Sequence, residues 1–184
     1  HFSLDFIAAE PTTYSHATGV GGVYGTRDIG TQVVESLEGG DFDCGDRVVF
    51  FTEITVDASE TVASQNIEIT FALAGDATGQ SGVGYDDLLS ASVNGGDPGN
   101  LGLDGDEAVT IVSGAANTPP GDLTPTVQIT NLNPGEILIL RLVSRLTCFG
   151  GPPTGNVQSA VTAGVVVGDG AIQVGNQTIP LQNP

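Results

Sequence analysis

Apolar residues in this chain recur at every second position rather than every third or fourth. Between Arg47 and Asp57, the residues Val48, Phe50, Thr52, Ile54 and Val56 share one side. Between Gln65 and Leu73, Ile67, Ile69, Phe71 and Leu73 point one way, and Glu68 and Thr70 point the other. A period of two is the signature of a half-buried β-strand. The first nine residues alternate too, with Phe2, Leu4, Phe6 and Ala8 opposed to Ser3 and Asp5. Glu10-Pro11-Thr12-Thr13 closes that strand, because proline cannot continue a hydrogen-bonded ladder.

The stretch Thr124–Cys148 reads as strand, turn, strand. Val127 and Ile129 alternate with polar neighbours. Asn133-Pro134-Gly135 is a turn: Pro fixes φ at the first central position, and Gly accepts positive φ at the second. Glu136–Cys148 then sets Leu138, Leu140, Leu142, Leu146 and Cys148 on one face, with Ile137, Ile139, Arg141, Val143 and Arg145 on the other. The pair is expected to form a hairpin. The second face, with two arginines, is expected to meet acidic neighbours.

Shorter strands are expected at Thr31–Leu37, Asp87–Val93, Ala108–Val112, Asn156–Val167, Ala171–Val174 and Gln177–Leu181. Roughly nine to eleven strands at such spacing make a sandwich. No window sustains a helical period. The expected fold is all-β, an immunoglobulin-like or jelly-roll β-sandwich. Residues 1–13 form an N-terminal arm and residues 14–184 one sandwich domain. Tyr14–Gly30 is rich in Gly and Thr and reads as a long connection.

Composition sharpens this picture. Gly is 27 and Pro 10 of 184 residues, which suits many tight turns. There is no Met, so the N-terminus is expected to arise by cleavage, most simply of a secretory signal. No apolar run approaches the roughly 18 residues of a membrane helix. The two cysteines, Cys44 at a strand start and Cys148 at a strand end, are expected to form one disulfide across antiparallel strands, on the apolar side of each. Closing so long a loop is worth on the order of 4–5 kcal/mol in the chain-entropy model. The net charge is -18, and all four cationic side chains are arginines. Such a chain lacks the basic face that nucleic acid requires, and without lysine it cannot form Schiff bases or Lys–Asn cross-links.

Cys-Gly-Asp-Arg-Val-Val-Phe-Phe-Thr-Glu-Ile-Thr-Val at 44–56, Asn-Ile-Glu-Ile-Thr-Phe-Ala-Leu at 66–73 and Leu-Asn-Pro-Gly-Glu-Ile-Leu-Ile-Leu-Arg-Leu at 132–142 resemble the immunoglobulin-like repeat of bacterial and archaeal surface proteins. In that family a Gly-Asp opens one strand and a Pro-Gly-Glu turn opens a late one. The likeness covers residues 44–148. It departs in the N-terminal arm, the C-terminal extension and the absence of lysine. The layout is also similar to secreted filament subunits, the TasA-type matrix fibres and cannula-like (calin) tubes. That resemblance implies a homopolymer whose copies exchange a strand.

Four sets of residues are candidates for function. Phe2, Leu4 and Phe6 would complete a neighbour's open sheet. His1 resembles the N-terminal histidine of lytic polysaccharide monooxygenases, where its amine and ring bind copper with a second histidine. Here that partner would be His16, with Tyr14 or Tyr24 axial. Asp41, Asp43 and Asp46, then Asp104, Asp106 and Glu107, are clusters that calcium would suit, and Asp86 with Asp87 is a third acidic pair. Asn176-Gln-Thr178 is a glycosylation sequon. Nucleophile-elbow, phosphate-loop and dinucleotide signatures are absent from the sequence. Three Tyr and no Trp make a carbohydrate cleft an unpromising reading. The expected role is a non-enzymatic extracellular structural subunit. The alternatives are a monomeric surface or adhesion domain and a copper-dependent oxygenase.

Overall fold

The computed structural model describes residues 2–11, 33–73, 82–93, 106–118, 121–149, 157–175 and 177–182. The strands are β1 (Phe2–Ala9), β2 (Val33–Val34), β3 (Leu37–Glu38), β4 (Arg47–Val56), β5 (Gln65–Ala72) and β6 (Val83–Val93). They continue as β7 (Ala108–Ser113), β8 (Thr126–Leu132), β9 (Ile137–Cys148), β10 (Val157–Val166), β11 (Gly170–Ile172) and β12 (Thr178–Gln182). One short 3-10 turn, Gly39–Asp41, precedes β4.

Two sheets face one another, as the alternation requires. The first, sheet A, has the order β2-β1-β4-β9-β6. The second, sheet B, has the order β3-β12-β10-β5-β8-β7, with β11 beside β10. Every pairing is antiparallel except β3 with β12. The residues expected to point inward do so. Val48, Phe50, Thr52, Ile54 and Val56 of β4 are buried, as are Ile67, Ile69, Phe71 and Leu73 at β5 and Leu138, Leu140, Leu142 and Leu146 of β9. Together they form one core between the sheets. Tyr85 of β6 spans it, packed edge-on to Phe50 and hydrogen-bonded to Ser159 of β10. Burial pushes its phenol well above the usual range.

The Asn133–Glu136 turn forms as expected, with Gly135 at φ +83° and the Glu136 N–H donating to the Asn133 carbonyl at 3.2 Å. The expected hairpin does not form. β8 pairs with β5 and β7 in sheet B, whereas β9 pairs with β4 and β6 in sheet A. The turn carries the chain across the sandwich. Both strands have one strongly apolar face, and placing them in opposite sheets lets those faces pack against each other. The strand expected at Thr31–Leu37 is two short pieces, β2 and β3, in different sheets. Among the described residues no helix is long and apolar enough to cross a membrane.

Candidate functional site

The seat of β1 is the most elaborate feature built from the predicted site residues. The alternation of Phe-Ser-Leu-Asp-Phe-Ile-Ala-Ala buries Leu4, Phe6, Ala8 and Ala9. On one side β1 runs along β4 from Phe2 opposite Val56 to Ala8 opposite Phe50. The Phe6 ring stacks on Phe50 with centroids 5.4 Å apart and leans on Phe71 of β5 at 5.7 Å, so it touches both sheets. On the other side β2 reaches only Ala8 and Ala9. Among the described residues, the backbone of that edge at Leu4 and Phe6 is met by one side chain. Gln177 accepts the Phe6 N–H with its carbonyl oxygen and donates its amide to the Leu4 carbonyl and, at 3.1 Å, to the Val174 carbonyl. One carboxamide thus does the work of a strand's peptide group. Nothing in the local sequence marks Gln177 for this role. At the strand's start, Phe2 lines two open grooves of about 540 and 370 Å³.

The sequence sets residues 1–13 apart as an arm for a neighbour. In the single chain β1 instead completes the chain's own sandwich. An intramolecular seat for Phe2, Leu4 and Phe6 carries no association entropy cost, so an isolated molecule takes it.

Cys44 and Cys148 are bonded, with Cα atoms 5.6 Å apart and a sequence separation of 104. The strands they join are antiparallel, as expected. The bridge is exposed rather than set in the core. Gly45 has φ +92°, which breaks the alternation between Cys44 and β4. Its N–H bonds the Leu146 carbonyl at 2.8 Å, and the Leu146 N–H bonds the Asp46 carbonyl at 2.8 Å. The disulfide therefore staples the open end of the β4–β9 ladder.

The acidic clusters are used locally. Asp46 accepts the Asp43 N–H at 2.7 Å, closing a turn that follows the 3-10 turn containing Asp41. Asp86 and Asp87 face Arg145, whose Nε lies 2.9 Å and Nη2 3.1 Å from the two Asp86 oxygens. Of the two arginines on that face of β9, Arg145 meets the acidic neighbours expected. Hydrogen bonding to Asp86 raises the Arg145 pKa further. Asp106 offers its carbonyl to the Asn131 amide at 3.1 Å. Glu107 faces Glu136, which the calcium reading left out. Glu136 is buried and accepts the Asn133 N–H at 2.6 Å. Burial raises its pKa, the Asn133 bonds oppose this, and Glu107 adds to the rise. Among the described residues no three His, Cys, Asp or Glu side chains converge as a metal site. His1, Tyr14, His16, Tyr24, Asp104 and Asn176 lie outside the described residues.

No family model and no curated protein sequence matches the chain. Among solved structures it is similar to one named BspA_C_WT, with TM-score 0.41 and 10% identity, over 97% of this chain and 50% of that one. The chain therefore spans about half the length of that structure. It is also similar to one described as "AvmM Catalyzes Macrocyclization in Alchivemycin A Biosynthesis", with TM-score 0.29 and 11% identity, over 98% of this chain and 88% of that one. Likenesses this slight carry no argument about function.

Proposed function

We propose that the chain is a secreted, non-catalytic structural module, the repeating subunit of an extracellular filament, tube or surface layer. Copies join by passing β1 from one molecule to the next. The seat of β1 carries this reading. Its walls are the β4 ladder, the Phe50 and Phe71 rings and the Gln177 amide, none of which belongs to β1. The slot of one copy therefore suits the strand of another as well as its own. Residues 10–32 link β1 to β2, and a stretch of that length spans on the order of 75 Å fully extended, enough to reach a neighbour. Exchange conserves every contact, so high concentration favours it through mass action. The disulfide fits an oxidising, extracellular setting. A net charge of -18 would keep the free subunit soluble.

The test is refolding at low and high protein concentration, followed by negative-stain microscopy and sedimentation. Polymers are expected only from concentrated samples. A chain lacking residues 1–11 should form none, and should take up a peptide of sequence Phe-Ser-Leu-Asp-Phe-Ile-Ala-Ala. Gln177→Ala should speed exchange without shifting its equilibrium, because the same bonds are lost in the closed and the exchanged form. If concentrated refolding gives only monomers while the truncated chain still binds the peptide, exchange is excluded. The second reading, a monomeric surface domain with β1 held in place by Gln177, would then stand.

A further inference from the structure

We propose that β7 is a self-pairing edge, through which two copies of this chain join sheet B to sheet B in antiparallel register. The contact does not depend on exchange of β1.

Most sheet edges here are blunted by familiar devices. β2 and β3 are two residues long. β6 carries Asp86 and Asp87, and its outer side is met by Ala115 and Asn117 through bonds of 2.7 and 2.9 Å. Short length, charge and a covering segment are the usual protections against edge pairing. β7 lacks them. It is six residues long, Ala-Val-Thr-Ile-Val-Ser, without charge or proline, and it ends the strand order of sheet B. Ala108, Thr110, Val112 and Ser113 are exposed. Among the described residues, only β8 pairs with it. A register shift between Ile111 and Ser113 leaves Ala108–Ile111 as its regular stretch.

Charge selects the occupant. In a chain of net charge -18, a second copy is repelled by most of the surface. Sheet B is the exception: in its seven strands the charged residues are Glu38 and Glu68. Among the described residues, the charges next to β7 in the chain are Asp106 and Glu107, just before the strand. Parallel pairing in register would set Glu107 against Glu107. Antiparallel pairing about a two-fold axis matches residues of equal parity, so their side chains fall on the same face. Centred on Thr110, it sets Val109 against Ile111 within the regular stretch and places Glu107 of each copy beside the far end of the other copy's strand. The like charges are kept apart. Two six-residue strands make a small interface, so the dimer is weak in dilute solution. It strengthens with salt, because the repulsion is screened while the edge bonds are not ionic.

The test is sedimentation equilibrium of the refolded monomeric chain across a concentration series at low and high salt. A monomer–dimer equilibrium is expected that shifts at least tenfold towards dimer in high salt. Thr110→Glu and Val112→Glu should each weaken dimerisation at least tenfold while leaving the circular dichroism spectrum and melting temperature unchanged, since both sites are exposed. Thr110→Cys should form an intermolecular disulfide on mild oxidation, and Thr162→Cys on β10 should not. A wild-type chain that stays monomeric throughout, or glutamate variants that dimerise as well as wild type, would overturn the proposal. Loss of the dimer in Thr110→Glu, with concentrated refolding still giving polymers, would separate this contact from β1 exchange.

Discussion

Sheet A and sheet B share one core but differ on their outer faces. On sheet A, Phe51 and Ile139 are 1% and 2% exposed although they point away from that core, and with Ala9 they form a second apolar cluster. Sheet A also carries Arg47, Arg141, Arg145, Asp5, Glu53, Asp86 and Asp87 along its strands. On sheet B, Thr70 bonds Thr126 hydroxyl to hydroxyl at 3.0 Å, and Val165 is 37% exposed. Its outer face is polar, nearly uncharged and open. A strand that is apolar on both faces belongs to a sheet packed on both sides, whereas clean alternation marks a sheet with one wet face. Sheet A is therefore packed on both faces, whereas sheet B keeps one face towards solvent.

The largest effects should come from testing the two outer faces directly. Phe51→Ala should cost about 3–5 kcal/mol, the range for a buried ring lost from a packed site. Val165→Thr should stay within about 0.5 kcal/mol. Chemical denaturation of both variants measures this, and equal losses would erase the distinction between the faces. Removing the disulfide with Cys44→Ala and Cys148→Ala should come next, at about 2–5 kcal/mol. That loss should fall mainly on the β4–β9 end of sheet A, and amide exchange at Val48 and Leu146 would report it.

A smaller effect should arise where the sheets meet, at the Glu136 turn. Burial and Glu107 raise the folded-state pKa of Glu136 above its ordinary 4.5. The folded state then holds a proton that the unfolded state releases as pH rises through 4.5, so stability falls as pH climbs through the folded-state value. Glu136→Gln should match wild type near pH 4 and melt higher at pH 7. A wild type that gains stability over this window, relative to the variant, would reverse the assignment. The smallest effect is expected from Arg145→Ala. Its pair with Asp86 is half-exposed, and melting should fall by about a degree, less at high salt.

Much of this layout is legible in the residues. The alternation in β4, β5 and β9 names the inner face correctly, because side-chain direction in a strand is set by the backbone alone. Pairing is a different matter. Asn133-Pro134-Gly135 serves equally well to turn a hairpin or to arch between sheets, and only the global packing of β8 and β9 decides. The direction of the strands joined by Cys44 and Cys148 could be read, but their exposure could not, since one glycine at φ +92° resets the alternation. Gly114 is similar. At φ +73° a β-carbon there would strike the Thr124 carbonyl, and the turn it permits brings Ala115 back to β6. The candidate site was legible in Phe2, Leu4 and Phe6 and silent in Gln177. A side chain that imitates a strand leaves no period to detect.

The staple between Cys44 and Cys148 also sets how the molecule answers to mechanical load. A chain pulled by its two ends can lengthen only by the residues outside the bridge. More than half of the polymer lies inside it, shielded from extension. Under tension, β1 and the strands after β9 would peel away first, while the β4–β9 ladder and everything threaded between its ends held its shape. A tether built this way yields early by a fixed length and then stops.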